Sequence, residues 1–147
     1  MTRRVVTGHD AAGKAMVLQD GAAPNVRIRQ ASGLVSTLLW VTDESPADLS
    51  GNADRAAREI GIPPPRNGSI FRVLDFPAGA KGEMHRTRSV DYAVVLEGEI
   101  DMLLEDADLH LRAGDVLVQQ GTPHAWENRG AANCRIAFVL IDARDAA

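Results

Sequence analysis

The chain has 147 residues and only one cysteine, Cys134. No disulfide can form within it, which fits a reducing cytoplasm. Long apolar runs are also missing: residues 38–41 and 136–141 fall far short of a membrane span. The N-terminus reads Met1-Thr2-Arg3-Arg4-Val5-Val6 and then Gly8-His9-Asp10, without the apolar stretch of a signal peptide. There is no basic excess. The formal net charge is −4, so neither nucleic acid nor a membrane is an expected partner. The sequence contains no nucleophile elbow, Gly-rich phosphate loop or zinc-finger spacing, and no internal repeat. What these absences leave is one domain of ordinary size, with an expected cytoplasmic location and a small-molecule ligand.

Short β-like runs separated by turn signals fill most of that domain. Residues 4–7, 15–18 and 26–30 read as short strands. Residues 34–42 are apolar on both faces, which predicts a central strand or a subunit contact. From residue 69 onward the strand signals become denser: 69–76, 83–86, 90–96, 99–104, 108–111, 116–119, 124–128 and 134–141, broken by Gly79, Gly82, Gly98, Gly114, Gly121 and Gly130. This spacing predicts a sandwich or barrel. One helix is expected over residues 53–60, with Asn52 as cap, Gly61 as stop and Pro63-Pro64-Pro65 beyond it. Leu96-Glu97-Gly98-Glu99 predicts a tight hairpin. Residues 1–68 thus form an N-terminal part of strands and a short helix, packed on the barrel or on a partner. Residues 69–147 form the barrel core.

The four histidines are not equivalent. His85 and His124 both follow Gly-containing loops at strand starts, where the mouth of a barrel lies. His110, between Leu109 and Leu111, alternates outward and reads as a surface residue. His9 lies in an N-terminal loop. Residues two apart in a strand share a face, so Thr87 points with His85, and Trp126 points with His124. Asp91 opens the strand after His85. If both histidine faces look inward, His85, Asp91 and His124 meet in one pocket. Two histidines and a carboxylate suit a divalent first-row metal (Fe, Mn, Ni or Zn) and leave coordination positions open. Arg72, in an otherwise apolar strand, could hold a carboxylate or be paired within the chain. Trp126 could stack on a planar ligand or pack in the core. Cys134, in an apolar run, reads as a buried thiol.

Two stretches carry a resemblance. GAKGEMHRTRSVDYAVVLEG, residues 79–98, is similar to the first motif of the cupin superfamily: Gly79, five residues, His85, then Asp91 and Gly98. GDVLVQQGTPHAWEN, residues 114–128, resembles the second, through Gly114, Gly121, His124 and Asn128. The resemblance implies an all-β fold: a cupin-type double-stranded β-helix, or jelly-roll barrel, with extra N-terminal strands. It also implies that His85, Asp91 and His124 are metal ligands. The chain departs from the pattern at Thr87, where the family has a second histidine. Asp91 stands for Glu, and Gln119-Gln120 replace the proline of the second motif.

These residues predict a metal-dependent cupin enzyme acting on a small organic acid, carbonyl or aromatic compound. His85 and His124 would be the reacting residues, and Thr87, Trp126 and Arg72 would line the substrate pocket. The alternatives are a non-catalytic binding cupin and a metal-free enzyme using histidine acid–base chemistry. No organic cofactor is implied. A homodimer is expected, with residues 34–42 near the contact.

Overall fold

The computed structural model describes residues 1–145. Eleven strands run in chain order: β1 (Arg3–His9), β2 (Ala15–Ala22), β3 (Val26–Ile28), β4 (Val35–Thr42), β5 (Ser69–Phe76), β6 (Ser89–Glu97), β7 (Glu99–Leu103), β8 (Asp108–Arg112), β9 (Val116–Gln120), β10 (Ala125–Glu127) and β11 (Cys134–Asp142). β1 and β2 form a separate two-stranded sheet. The other nine strands make a six-stranded sheet, β3-β4-β5-β11-β6-β9, and a three-stranded sheet, β10-β7-β8. This all-β arrangement is the expected jelly roll. No helix among the described residues is long and apolar enough to cross a membrane.

Alternation builds the core. On β11, Cys134, Ile136, Phe138 and Leu140 are buried while the residues between them are partly exposed. They meet Ile70 and Phe76 of β5, Val95 of β6, Ile100 and Met102 of β7, and Trp126 of β10 in one cluster. Burial pushes the Cys134 thiol up to about 11, so it is an inert core group as expected. β4 lies inside the sheet between β3 and β5, with Leu38, Leu39 and Val41 buried. Exposed apolar side chains cluster elsewhere, on the outer faces of β6 and β9, at Tyr92, Val94, Val116 and Val118.

Two expectations fail. The helix over residues 53–60 does not form; the segment is a run of turns and bends. Arg4 donates to both carboxylate oxygens of Asp54, at 2.9 and 2.7 Å, and Asp54 in turn accepts from the Ala56 amide at 2.9 Å. The Asn25 side-chain amide donates to the carbonyls of Ala56 and Arg58, both at 2.8 Å. A helix would offer those carbonyls to amides four residues on. Tertiary partners take them instead, and helix propensity is too weak a term to compete. Likewise, residues 96–99 are not a hairpin, because β6 and β7 belong to different sheets. Gly98, at φ 77°, is a corner where the chain changes sheet. A Cβ there would lie 2.3 Å from the Asn133 carbonyl oxygen, so only glycine fits.

Candidate functional site

Residues 83–86 are not a strand. Their backbone pairs with the barrel through an isolated bridge, His85 to His124. The His85 amide donates to the His124 carbonyl and the His124 amide donates back to the His85 carbonyl, both at 2.9 Å. That reciprocal pair sets the two residues directly opposite each other on one face. Their ring centroids are 4.5 Å apart. His124 is buried and His85 exposed at the mouth.

Each imidazole is oriented the same way. His85 Nδ1–H donates to the Glu83 carbonyl at 3.0 Å, and His124 Nδ1–H donates to the Thr122 carbonyl at 2.8 Å. A carbonyl only accepts, so each ring carries a proton on Nδ1, and in its neutral form offers the Nε2 lone pair. Burial holds His124 below the usual imidazole range and keeps it neutral; the Thr122 contact and the Asp91 charge oppose that shift more weakly, while the neighbouring His85 adds to it.

Asp91 is buried beside them. Its two oxygens accept from Ser89 Oγ at 2.6 Å and from Gln119 Nε2 at 2.8 Å. Gln119, its cross-strand partner on β9, also places Nε2 3.4 Å from His124 Nε2. The amide hydrogens thus face both acceptors, and Gln119 Oε1 is buried with no hydrogen-bond partner. Gln119 and Ser89 went unnoticed in the sequence. The only signals were the parity of Ser89 with Asp91 and the replacement of the motif proline at Gln119.

All six residues singled out in the sequence (His85, His124, Thr87, Asp91, Trp126 and Arg72) line one cavity of about 490 Å3. Small-molecule sites commonly span about 300–1,000 Å3. Trp126 is buried, its ring 6.0 Å from Phe76, 5.8 Å from Phe138 and 6.2 Å from His124, so it forms an apolar wall as well as core. Thr87 is buried. Arg72 projects from β5 at the other side of the cavity. Its neighbours on β11 and β6 are Phe138 and Ala93, whereas Asp91 lies in the row of Leu140. By strand spacings, Arg72 and Asp91 are about 12 Å apart across the sheet.

Known proteins resemble this chain over most of its length. The family described as "Cupin domain" matches residues 72–141. A cupin-domain-containing oxidoreductase of Hypocrea virens, virC, is 33% identical over 97% of this chain and 77% of its own length. This chain belongs to the cupin family. The cupin is also 35% identical to fogC, a cupin-domain-containing oxidoreductase of Aspergillus ruber, over 97% of this chain and 73% of that one. It is 37% identical to the phomopsin biosynthesis cluster protein C' of Diaporthe leptostromiformis, over 96% and 78%. Among solved structures, the Cnp3 cupin domain of Schizosaccharomyces pombe superposes with a TM-score of 0.59 at 14% identity, over 97% of this chain and 88% of that one. A Cupin 2 conserved barrel domain protein of Salinispora arenicola does so at 0.55 and 17%, over 81% and 82%. These two structures share the fold.

Cupins commonly bind a metal, and the donor set here suits one. His85 Nε2, His124 Nε2, the Asp91 carboxylate and the orphaned Gln119 Oε1 are all acceptors, and no cationic side chain pairs with them among the described residues. A half-turn of the Gln119 amide would exchange its nitrogen for its oxygen beside His124 and Asp91. That exchange is unfavourable between acceptors alone and favourable around a cation. As the side chains stand, no three His, Cys, Asp or Glu among the described residues are grouped to hold an ion. Were an ion held by the two histidines, a third donor would come from Gln119, or from Asp91 once Gln119 releases it.

Proposed function

We propose that this cupin is an enzyme that transforms a small organic acid, carbonyl or aromatic compound at the histidine end of its cavity. In this reading His85 and His124 hold a divalent first-row metal through Nε2. The observation that carries the reading is the pair of facing imidazoles, each with Nδ1 bonded to a carbonyl, beside the buried Asp91 carboxylate and the Gln119 amide, whose unpartnered oxygen a half-turn would bring to them. The names of the relatives, oxidoreductases and a biosynthesis cluster protein, support an enzyme of small-molecule biosynthesis.

A bound metal would polarise a substrate oxygen as a Lewis acid. The chain's own residues do the rest. The carbonyls of Glu83 and Thr122 fix both imidazole tautomers. Trp126 and Phe138 exclude water from one wall, and Ser89 keeps Asp91 aimed inward. Thr87 borders the substrate beside His85. The test is elemental analysis of untagged protein grown with added Fe, Mn, Ni and Zn. Near-stoichiometric metal is expected. Protein that retains none of the four would overturn the metal reading.

One observation favours a second reading, histidine acid–base chemistry without a metal. The Gln119 amide already caps both the Asp91 carboxylate and the His124 lone pair. His85 Nε2 would then take the proton from a substrate.

A further inference from the structure

Arg72 is an unusual residue for the wall of an apolar cavity. On the inward face of β5 it stands between Ile70 and Leu74, beside Phe138 of β11. One Nη donates to the Gly61 carbonyl at 2.8 Å. Its Nε is buried with no partner, and no carboxylate among the described residues pairs with it. A second guanidinium, Arg29 from the connection between β3 and β4, lines the same cavity. Burial, and to a lesser degree the Arg29 charge, push the Arg72 pKa down, as expected of like charges close together. A guanidinium still keeps its proton.

The rest of this wall shows how arginines are normally placed here. A smaller adjoining cavity of about 250 Å3 touches Arg27, Arg29, Arg58 and Arg72. Arg27 is paired with Glu59 at 2.8 Å and Arg58 with Asp43 at 2.8 Å. Arg29 and Arg72 have no such carboxylate among the described residues, in a chain whose net charge is −4. Carboxylates are plentiful, yet none stands where these two positive charges meet. A buried guanidinium nitrogen left unpaired is destabilising, and an anion entering the cavity would relieve it.

We propose that Arg29 and Arg72 form the acid-binding subsite of this cavity, taking the carboxylate of a small organic acid whose far end faces His85 and His124. Carboxylate geometry matches the forked guanidinium, and Arg72 still has its free Nε to offer. Phe76, Trp126 and Phe138 supply an apolar middle. The subsite deepens the function proposed above and rests on it only for what happens at the histidine end.

The test is isothermal titration of the whole protein, untreated and chelator-treated, with benzoate, cinnamate and glutarate, each against its neutral amide. At least one acid should bind about tenfold tighter than its amide, a ratio set by one or two charge-assisted hydrogen bonds. Arg72→Met should bring the acid down to the affinity of the amide in both preparations, and Arg72→Lys should restore part of it. Arg29→Met should weaken the acid by about threefold, as expected of an exposed charge. If Arg72→Met does not fold, Arg29→Met carries the test, since Arg29 is exposed. The proposal is overturned if none of the acids binds, if acids and amides bind alike, or if the arginine variants that fold leave the acid unaffected. It is also overturned if binding disappears with the metal, which would put the carboxylate on the ion. Acid binding that depends on the arginines in protein holding no metal would leave this subsite standing and remove the metal reading.

Discussion

The two ends of the cavity have opposite deficits. At the histidine end the acceptors of His85, His124 and Asp91 meet only neutral donors, Ser89 and the Gln119 amide, whose own oxygen is orphaned, and no cationic side chain among the described residues pairs with them. At the arginine end there are two guanidiniums and no carboxylate among the described residues. Between them lies an aromatic wall that needs nothing. A folded chain normally pairs such groups with each other, as Arg135 does with Asp75 at 2.9 Å on the outside of the same sheet. Here the complementary charges are held about 12 Å apart by the sheet itself. The polarity is therefore available to what enters: a cation at one end and an anion at the other.

The largest expected effect falls on the histidine end. On the proposed reading, His124→Ala and His85→Ala should each lower metal content from near one per chain to about a tenth or less, since each would remove a ligand. Elemental analysis beside circular dichroism separates metal loss from unfolding. His85 is the safer of the two because it is exposed. If both variants keep their metal, the contrast between the ends is broken at that end.

Asn128→Ala supplies a structural reference for the same comparison. The buried Asn128 amide donates to the carbonyls of Phe76 at 2.9 Å and Ala132 at 2.8 Å, while its oxygen accepts from the Gly130 amide at 3.0 Å. Its loss leaves several backbone groups unpaired and should cost about 2–4 kcal/mol by chemical denaturation. Metal content in the folded fraction should not change. A parallel fall would mean that the histidine end depends on general packing and not on its own donors.

Gln119→Leu is expected to act more finely. It removes the amide that caps Asp91 and faces His124 but keeps the strand pairing. If Gln119 is the third ligand, metal affinity should fall about 10- to 100-fold. If it only occupies Asp91, affinity should rise, because the carboxylate is released. An unchanged affinity would remove Gln119 from both roles.

Much of this arrangement is legible in the sequence because strand parity is a local rule. β5 spans the residues expected for it, and the i, i+2 rule puts Trp126 with His124; Thr87 and His85 share the cavity although their segment forms no strand. What escapes are features set by register between distant strands. Gln119 reaches Asp91 only because β9 pairs with β6 in one register. Arg29 reaches the cavity from a connection that has no periodicity to read. The helix expected over residues 53–60 fails for the same reason: Asn25 and Arg4, remote in sequence, take its hydrogen-bonding groups. Local pattern located the cavity, whereas its chemistry depends on cross-strand contacts.

The smallest effect concerns two histidines shifted in opposite directions. His110, on the outer face of the three-stranded sheet, donates to Asp101 at 2.7 Å and contacts Glu99 at 3.3 Å; Asp101 first, and then Glu99, raise its pKa. A raised folded pKa stabilises the protein fully below the unfolded value near 6.5, and that contribution is lost as pH rises through the folded pKa. His124 has the opposite sign: burial lowers its pKa, so its contribution is present above 6.5 and is lost as pH falls through the lowered value. His110→Gln should therefore lower the Tm at pH 6 by a degree or two and converge with the parent protein by about pH 9. Metal content and acid binding should stay as they were. His110 bonds carboxylates directly whereas Asp91 reaches His124 only through its charge, so a variant that moved the cavity's ligands as well would show that the two ends are not electrostatically insulated from His110.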